Sequence, residues 1–220
     1  MNVKNYKNFI PNSVLDELVS FFENNTHLHH DTMGMTKIYN PWEHTRELLD
    51  PLLSKCIDTN KNLGDNFYKH SFPYFPHIDS AGNRDSYNVL IPLKLSDDVD
   101  QKFVIFDQVC TNYSGATWIG DIWKPLGDFE TNKKRIFPHT DVDVVGCTTD
   151  PIDSDLYEIL KYDYRNEALF FGLTGKVYDY LPGDILIFPS NRIHCTGRMV
   201  CKWKIGISLR FEILDNNSLL

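Results

Sequence analysis

The chain has 220 residues, 42% hydrophobic, 13% aromatic and 24% charged, with 12 Gly and 11 Pro. That is enough apolar material for one sizeable core, and it excludes a disordered or collagen-like chain. The net charge of −8, from 22 basic and 30 acidic residues, argues against a protein that grips nucleic acid through clustered Lys and Arg.

The first nine residues, MNVKNYKNF, lack the apolar stretch of a secretory signal. No apolar run is long enough to span a membrane, so no membrane association is expected. The five cysteines are odd in number, scattered and without a CxxC pair. Free thiols in a reducing compartment, the cytoplasm, are the expectation. Pro11-Asn12-Ser13 offers a helix start, and Leu15, Leu18, Val19 and Phe22 follow at helical spacing. A second helix is expected from about Trp42 to Cys56, with Leu48, Leu49, Leu52 and Leu53 on its apolar side. The polar stretch THLHHDTMG between them reads as loop, leaving a mostly helical N-terminal third.

From Asn66 onward the texture changes to strands. The runs Asn66–Phe72, Tyr87–Leu95, Phe103–Val109, Ala168–Leu173, Lys176–Leu181, Asp184–Pro189 and Lys204–Ile213 are short, rich in Val, Ile, Phe and Tyr, and bounded by turn formers. One helix near Ser154–Tyr162 interrupts them. Thr111–Asp150 shows no sustained period and reads as a long insertion whose Tyr113, Trp118, Trp123, Phe129 and Phe137 either pack it down or form an aromatic lid. Helices followed by about seven strands predict an α+β fold: a double-stranded β-helix barrel, jelly-roll and cupin-like. One domain is expected over 1–220, with a helical part to about 63, a barrel over about 64–214 and an insertion over about 111–165.

Three of the eight histidines lie two residues before an aspartate: His29/Asp31, His77/Asp79 and His139/Asp141. Residues i and i+2 of an extended chain point to one face, so such a pair can bind one metal ion. A second histidine from another strand completes the two-His-one-carboxylate face of non-haem Fe(II) sites and leaves other positions open. His77-Ile78-Asp79 has the best surroundings, following a strand-like run and preceding several more. His194 lies far downstream, after Pro182-Gly183-Asp184 and the ILIF strand. His139/Asp141 is the rival pair, but too few strands then separate it from His194 to close a barrel.

Here the sequence resembles the 2-oxoglutarate- and Fe(II)-dependent dioxygenases, in their prolyl-hydroxylase and phytanoyl-hydroxylase-like branch. The resemblance covers roughly Asn66–Cys110 and Gly172–Ile213. It rests on the HxD pair, the Pro-Gly-Asp turn, the apolar strand, the distal histidine and a following strand with basic residues. It implies that His77, Asp79 and His194 hold Fe(II), that 2-oxoglutarate and O2 are cosubstrates, and that the far carboxylate of 2-oxoglutarate is neutralised by Lys204 or Arg210. Lys204, ten residues after His194, has the spacing of prolyl-hydroxylase-like members; Arg210 is the better bidentate partner in principle. Both share parity with Gly206 and Ser208, small residues that would leave room for the cosubstrate. Tyr68 and Asn66, on one face of the strand before His77, and Asn88 after it, are further candidates for holding 2-oxoglutarate. The carboxylate of Asp79 favours hydroxylation over halogenation. The implied substrate is a small molecule or a peptide side chain. The alternative reading is a non-catalytic cupin-like metal- or ligand-binding module.

Overall fold

The computed structural model describes residues 2–32, 34–74, 76–79, 86–110, 117–118, 134–136, 143–165 and 167–213. The first half contains β1 (Lys4–Tyr6), α1 (Asn12–Asn24), β2 (His30–Thr32), β3 (Met35–Tyr39), α2 (Trp42–Leu53), β4 (Asn62–His70), β5 (His77–Ile78), β6 (Ser86–Leu95) and β7 (Lys102–Cys110). There follow β8 (Thr117–Trp118), β9 (Lys134–Ile136), β10 (Asp143–Val145), α3 (Ser154–Leu160), β11 (Gly175–Asp179), β12 (Ile185–Pro189), β13 (Arg192–Arg198) and β14 (Lys204–Glu212).

The strands form two antiparallel sheets. The first has the order β1-β12-β6-β14-β4-β3-β2. The second runs β8-β5-β13-β7-β10-β9, with β11 also paired to β7. Period-2 alternation sorts the side chains of β14 cleanly. Ile205, Ile207, Leu209 and Phe211 enter a core with Leu15, Leu18 and Phe22 of α1 and Trp42, Leu49 and Leu53 of α2. Lys204, Gly206, Ser208 and Arg210 therefore point the other way, between the sheets. The helices thus cover one face of the first sheet and free its inner face for polar chemistry. On the far side, α3 buries Leu156 and Leu160 against Val104, Phe106 and Cys195 of the second sheet.

Local interactions set the helix positions. Asp65 of β4 accepts the Trp42 N–H at 2.8 Å, satisfying one of the free donors at the start of α2. Burial pushes the Asp65 carboxyl up to about 6. The side chain of Asp153 caps α3 by accepting from the N–H groups of Asp155 and Leu156, each at 3.0 Å.

The architecture agrees with the α+β barrel expectation, with four local differences. The stretch expected as loop carries a 3-10 turn at Thr26–Leu28 and then β2, which with β3 extends the first sheet. The N-terminal third therefore carries strands β1 to β4 beside its helices. The second helix ends at Leu53, and a turn carries the chain on to Cys56. The apolar run Ala168–Leu173 is a 3-10 turn, Glu167–Phe170, that buries Phe170; Gly172, at φ +77°, then bends the chain away from any ladder. Lastly, Arg192–Arg198 is a full strand that periodicity did not reveal. All five cysteines are free thiols. Of the insertion's aromatic residues, only the backbone of Trp118 is described. Tyr113, Trp123, Phe129, Phe137 and the His139/Asp141 pair lie outside the described residues.

Candidate functional site

The short strand β5 meets β13 at a single residue pair, His77 opposite His194. The pairing is reinforced just upstream, where Tyr74 N–H donates to Thr196 Oγ1 at 3.0 Å and Thr196 N–H to Tyr74 O at 3.1 Å. The buried Tyr164 hydroxyl sits against both strands, 2.8 Å from Tyr74 O and 3.1 Å from Thr196 O. The two imidazoles face one another with ring centroids 4.1 Å apart. Asp79, two residues beyond His77, places one carboxylate oxygen 3.4 Å from His77 Nε2 and the other 3.3 Å from His194 Nε2. One ligand atom from each of the three residues falls within 4.8 Å of the others.

The surroundings hold this cluster in place. Asn88 Nδ2 donates to Asp79 Oδ2 at 2.5 Å. Arg210 donates from one nitrogen to the Asp79 backbone carbonyl at 2.8 Å and from the other to Leu63 O at 2.9 Å. Gly64 makes room for this: its φ of +143° suits glycine, and a Cβ there would lie 3.0 Å from the guanidinium. His194 Nδ1 lies 2.9 Å from Arg192 O, so it carries the proton and donates it. Its Nε2 then presents a lone pair towards a carboxylate oxygen. That arrangement is repulsive unless a proton or a cation sits between them. Burial raises the pKa of Asp79, but positive charge placed at the facing His194 and His77 side chains outweighs it and holds the carboxyl well below the usual range. An ionised carboxylate and two nitrogen donors on one side of a pocket fit a divalent transition metal.

The same pocket continues along the inner face of the first sheet. Met35, Lys37, Asn66, Tyr68, His70 and Tyr74 line it on one side, and Leu90, Phe103, Phe188, Thr196, Lys204 and Ser208 on the other. Lys204 is fully buried at its floor. Its ammonium donates to Thr196 Oγ1 at 3.1 Å and stands 4.4 Å from the centre of the Tyr180 ring. No carboxylate of the described residues comes within ion-pair distance of it. Burial lowers its pKa to about 8, with Cys201, Asp163 and Cys195 acting in the opposite direction. Tyr68 and Tyr180 share a hydrogen bond of 2.9 Å between their hydroxyls. A Cβ on Gly206 would collide with the Tyr180 hydroxyl and lie 2.8 Å from that of Tyr68. The space left by Gly206 is therefore filled by these tyrosines. A buried ammonium without a counter-anion is costly, and a ligand carboxylate would relieve it.

The structure therefore brings His77, Asp79, His194, Lys204, Tyr68, Asn66 and Ser208 to one pocket. Arg210 and Asn88, expected as holders of 2-oxoglutarate, instead hold Asp79, because their positions on β14 and β6 pair with each other beside it. Lys37, His70, Tyr74, Thr196 and Tyr180 were not anticipated. Thr196 had one available signal, its i+2 spacing from His194.

No protein-family model and no curated protein matches the sequence. Solved structures do match in fold. The non-heme α-ketoglutarate-dependent carbocyclase SnoK from nogalamycin biosynthesis aligns with a TM-score of 0.56 and 8% identity, over 97% of this chain and 80% of its own. HygX from Streptomyces hygroscopicus, with nickel and 2-oxoglutarate bound, gives 0.52 and 10%, over 96% and 83%. The epimerase SnoN, in complex with Fe3+, α-ketoglutarate and nogalamycin RO, gives 0.51 and 10%, over 96% and 78%. The chain is thus a double-stranded β-helix protein, with the fold of the Fe(II)- and 2-oxoglutarate-dependent oxygenases. At such identities the likeness is one of fold, and the chemistry has to be argued from the site.

Proposed function

We propose that this protein is an Fe(II)- and 2-oxoglutarate-dependent oxygenase, one domain over its whole length, acting on a small molecule or an exposed peptide side chain. One observation carries the reading: a buried ammonium with no ion-pair partner among the described residues, Lys204, lies at the floor of the pocket whose wall holds the His77/Asp79/His194 cluster. A metal-binding module without an acidic ligand has no use for that cation. The bound ligands of HygX and SnoN support the same cofactor pair.

His77, Asp79 and His194 would hold the metal. When bound, Fe(II) with 2-oxoglutarate and O2 supplies an oxidation of a substrate C–H bond coupled to decarboxylation of 2-oxoglutarate to succinate. The chain's own contributions are positional and electrostatic. His194 keeps Nε2 free for the metal by donating Nδ1–H to Arg192 O. Asn88 and Arg210 fix Asp79, so its carboxylate does not swing into the position a substrate needs. Lys204 and Thr196 receive the far carboxylate of 2-oxoglutarate, beside the Tyr68–Tyr180 hydroxyl pair. Leu90, Phe103 and Phe188 keep that end dry, which strengthens the charge pairing. Hydroxylation is the simplest outcome of this chemistry, and Asp79 would offer the metal a carboxylate where a halide would otherwise be taken.

Substrate-independent conversion of 2-oxoglutarate to succinate under air tests the reading. The wild-type protein should show slow turnover that depends on added Fe(II) and is lost in His77→Ala and His194→Ala. Turnover unchanged in either variant would overturn the assignment.

A further inference from the structure

The pocket contains a second lysine that the chemistry above does not use. Lys37 lies on β3 and pairs across the sheet with Tyr68, which in turn pairs with Gly206 of β14. It therefore shares the inner face with Lys204, two strands away, on the extra hairpin that β2 and β3 add to the sheet. Lys204 is fully buried, whereas Lys37 is half-buried and lines the pocket together with Met35, Tyr68 and Tyr74. It has no hydrogen bond and no ion pair with any described residue. Burial lowers its pKa, and Asp79 opposes that from beyond contact distance.

Charge accounting indicates what Lys37 is for. The two positive charges of Fe(II) and the one on Lys204 are cancelled by the one negative charge of Asp79 and the two of 2-oxoglutarate. His70 adds nothing: burial and the nearby Lys204 keep it neutral, and its Nδ1–H goes to Phe72 O at 2.7 Å. Among the described residues, the loaded pocket is then left with one uncompensated cation, which interacts electrostatically with Asp79 without touching it. A half-buried charge in that position is stabilised by an anionic group arriving from solution.

We infer that Lys37 recognises the substrate, and that the substrate carries a single carboxylate placed to meet this ammonium when its reacting carbon lies at the metal. A phosphate monoester, close to doubly charged at neutral pH, would overshoot the balance. This inference rests on the metal and 2-oxoglutarate reading above.

The test uses the full-length protein, loaded anaerobically with Fe(II) and 2-oxoglutarate, and a panel of N-acetyl amino acids with their matched primary amides. Binding is read by calorimetry, and cosubstrate occupancy by the visible charge-transfer band of the Fe(II)–2-oxoglutarate chelate. The best acids should bind at least tenfold more tightly than their amides. Lys37→Met should remove that preference, Lys37→Arg should keep it, and both variants should retain the band with unchanged 2-oxoglutarate affinity. Acids and amides binding alike, no acid binding at millimolar concentration, or a preference that survives Lys37→Met would overturn the inference. Loss of the band in Lys37→Met alone would do so too, by assigning Lys37 to the cosubstrate. A wild-type protein that shows no band would defeat the metal and 2-oxoglutarate reading itself, and this inference with it.

Discussion

In the proposed reading, Lys204 is a single side chain that costs stability and serves binding. Burial without a carboxylate partner lowers its pKa from 10.5 to about 8. Between those two values the unfolded chain holds a proton that the folded chain has released, so this residue's contribution to stability rises with pH there. The proposed binding would run the opposite way, because a dianionic cosubstrate would need the ammonium. Affinity for 2-oxoglutarate should therefore fall above pH 8, by up to about tenfold per pH unit, while metal affinity does not follow that course. Titrations of the chelate band between pH 7 and 9.5 measure this, and a flat profile would contradict the role given to Lys204. The groups that face the amine are Thr196, Tyr180, His70, Cys201, Cys195 and Asp163; none of them is a carboxylate in contact. Gly206 is the neighbouring constraint. Gly206→Ala drives a methyl group onto the Tyr68 and Tyr180 hydroxyls, an overpacking that costs about 1–3 kcal/mol. The expected result is a lower melting temperature and a more than tenfold weaker 2-oxoglutarate complex, with metal binding retained. A Gly206→Ala protein with normal 2-oxoglutarate affinity would show that the tyrosine pair does not shape the floor.

Among the elements, β5 and β13 carry the site, and they were unequally legible in the sequence. The His-x-Asp pair identified β5, because i and i+2 on extended chain share a face whatever the surrounding pattern. β13 was invisible for a physical reason. Its inward residues, His194 and Thr196, are polar because they line a pocket, so Ile193 and Cys195 are left as the only apolar signal. β3 was hidden in the same way by Lys37, which lines the pocket. The apolar run Ala168–Leu173 misled in the opposite direction, since buried aromatic residues serve a 3-10 turn as well as a strand. The parity of Lys204, Gly206, Ser208 and Arg210 was readable, but not the partners of each: Arg210 points inward yet spends itself on two backbone carbonyls. Tyr164 links α3's layer to the site. Tyr164→Phe removes the hydroxyl that sits against Tyr74 O and Thr196 O, which should cost about 1–3 kcal/mol and lower the melting temperature by several degrees. A thermal melt unchanged by this substitution would show that the β5–β13 pairing holds without it.

At the scale of the whole molecule, the two sheets divide the work. The first sheet, backed by α1 and α2, presents Lys204, Tyr68, Asn66 and Ser208; the second, backed by α3, presents His77 and His194. The pocket lies between them, so its geometry depends on both cores, and the binding chemistry is spread over residues from Met35 to Ser208. That separation explains why the HxD pair and the β14 lining could be anticipated while Lys37, His70, Tyr74 and Thr196 could not: strand order brings together residues that no local pattern connects. No helix of the described residues is long and apolar enough to cross a membrane. In the proposed reading, this pocket joins a two-His-one-carboxylate metal face to a cationic carboxylate anchor. The most direct test of that reading is an anaerobic titration with Fe(II), with and without 2-oxoglutarate, following the visible charge-transfer band of the chelate. The expected band needs both components, vanishes in His194→Ala and needs much more 2-oxoglutarate in Lys204→Met. Stoichiometric metal binding with no band, or a band indifferent to Lys204→Met, would contradict the reading.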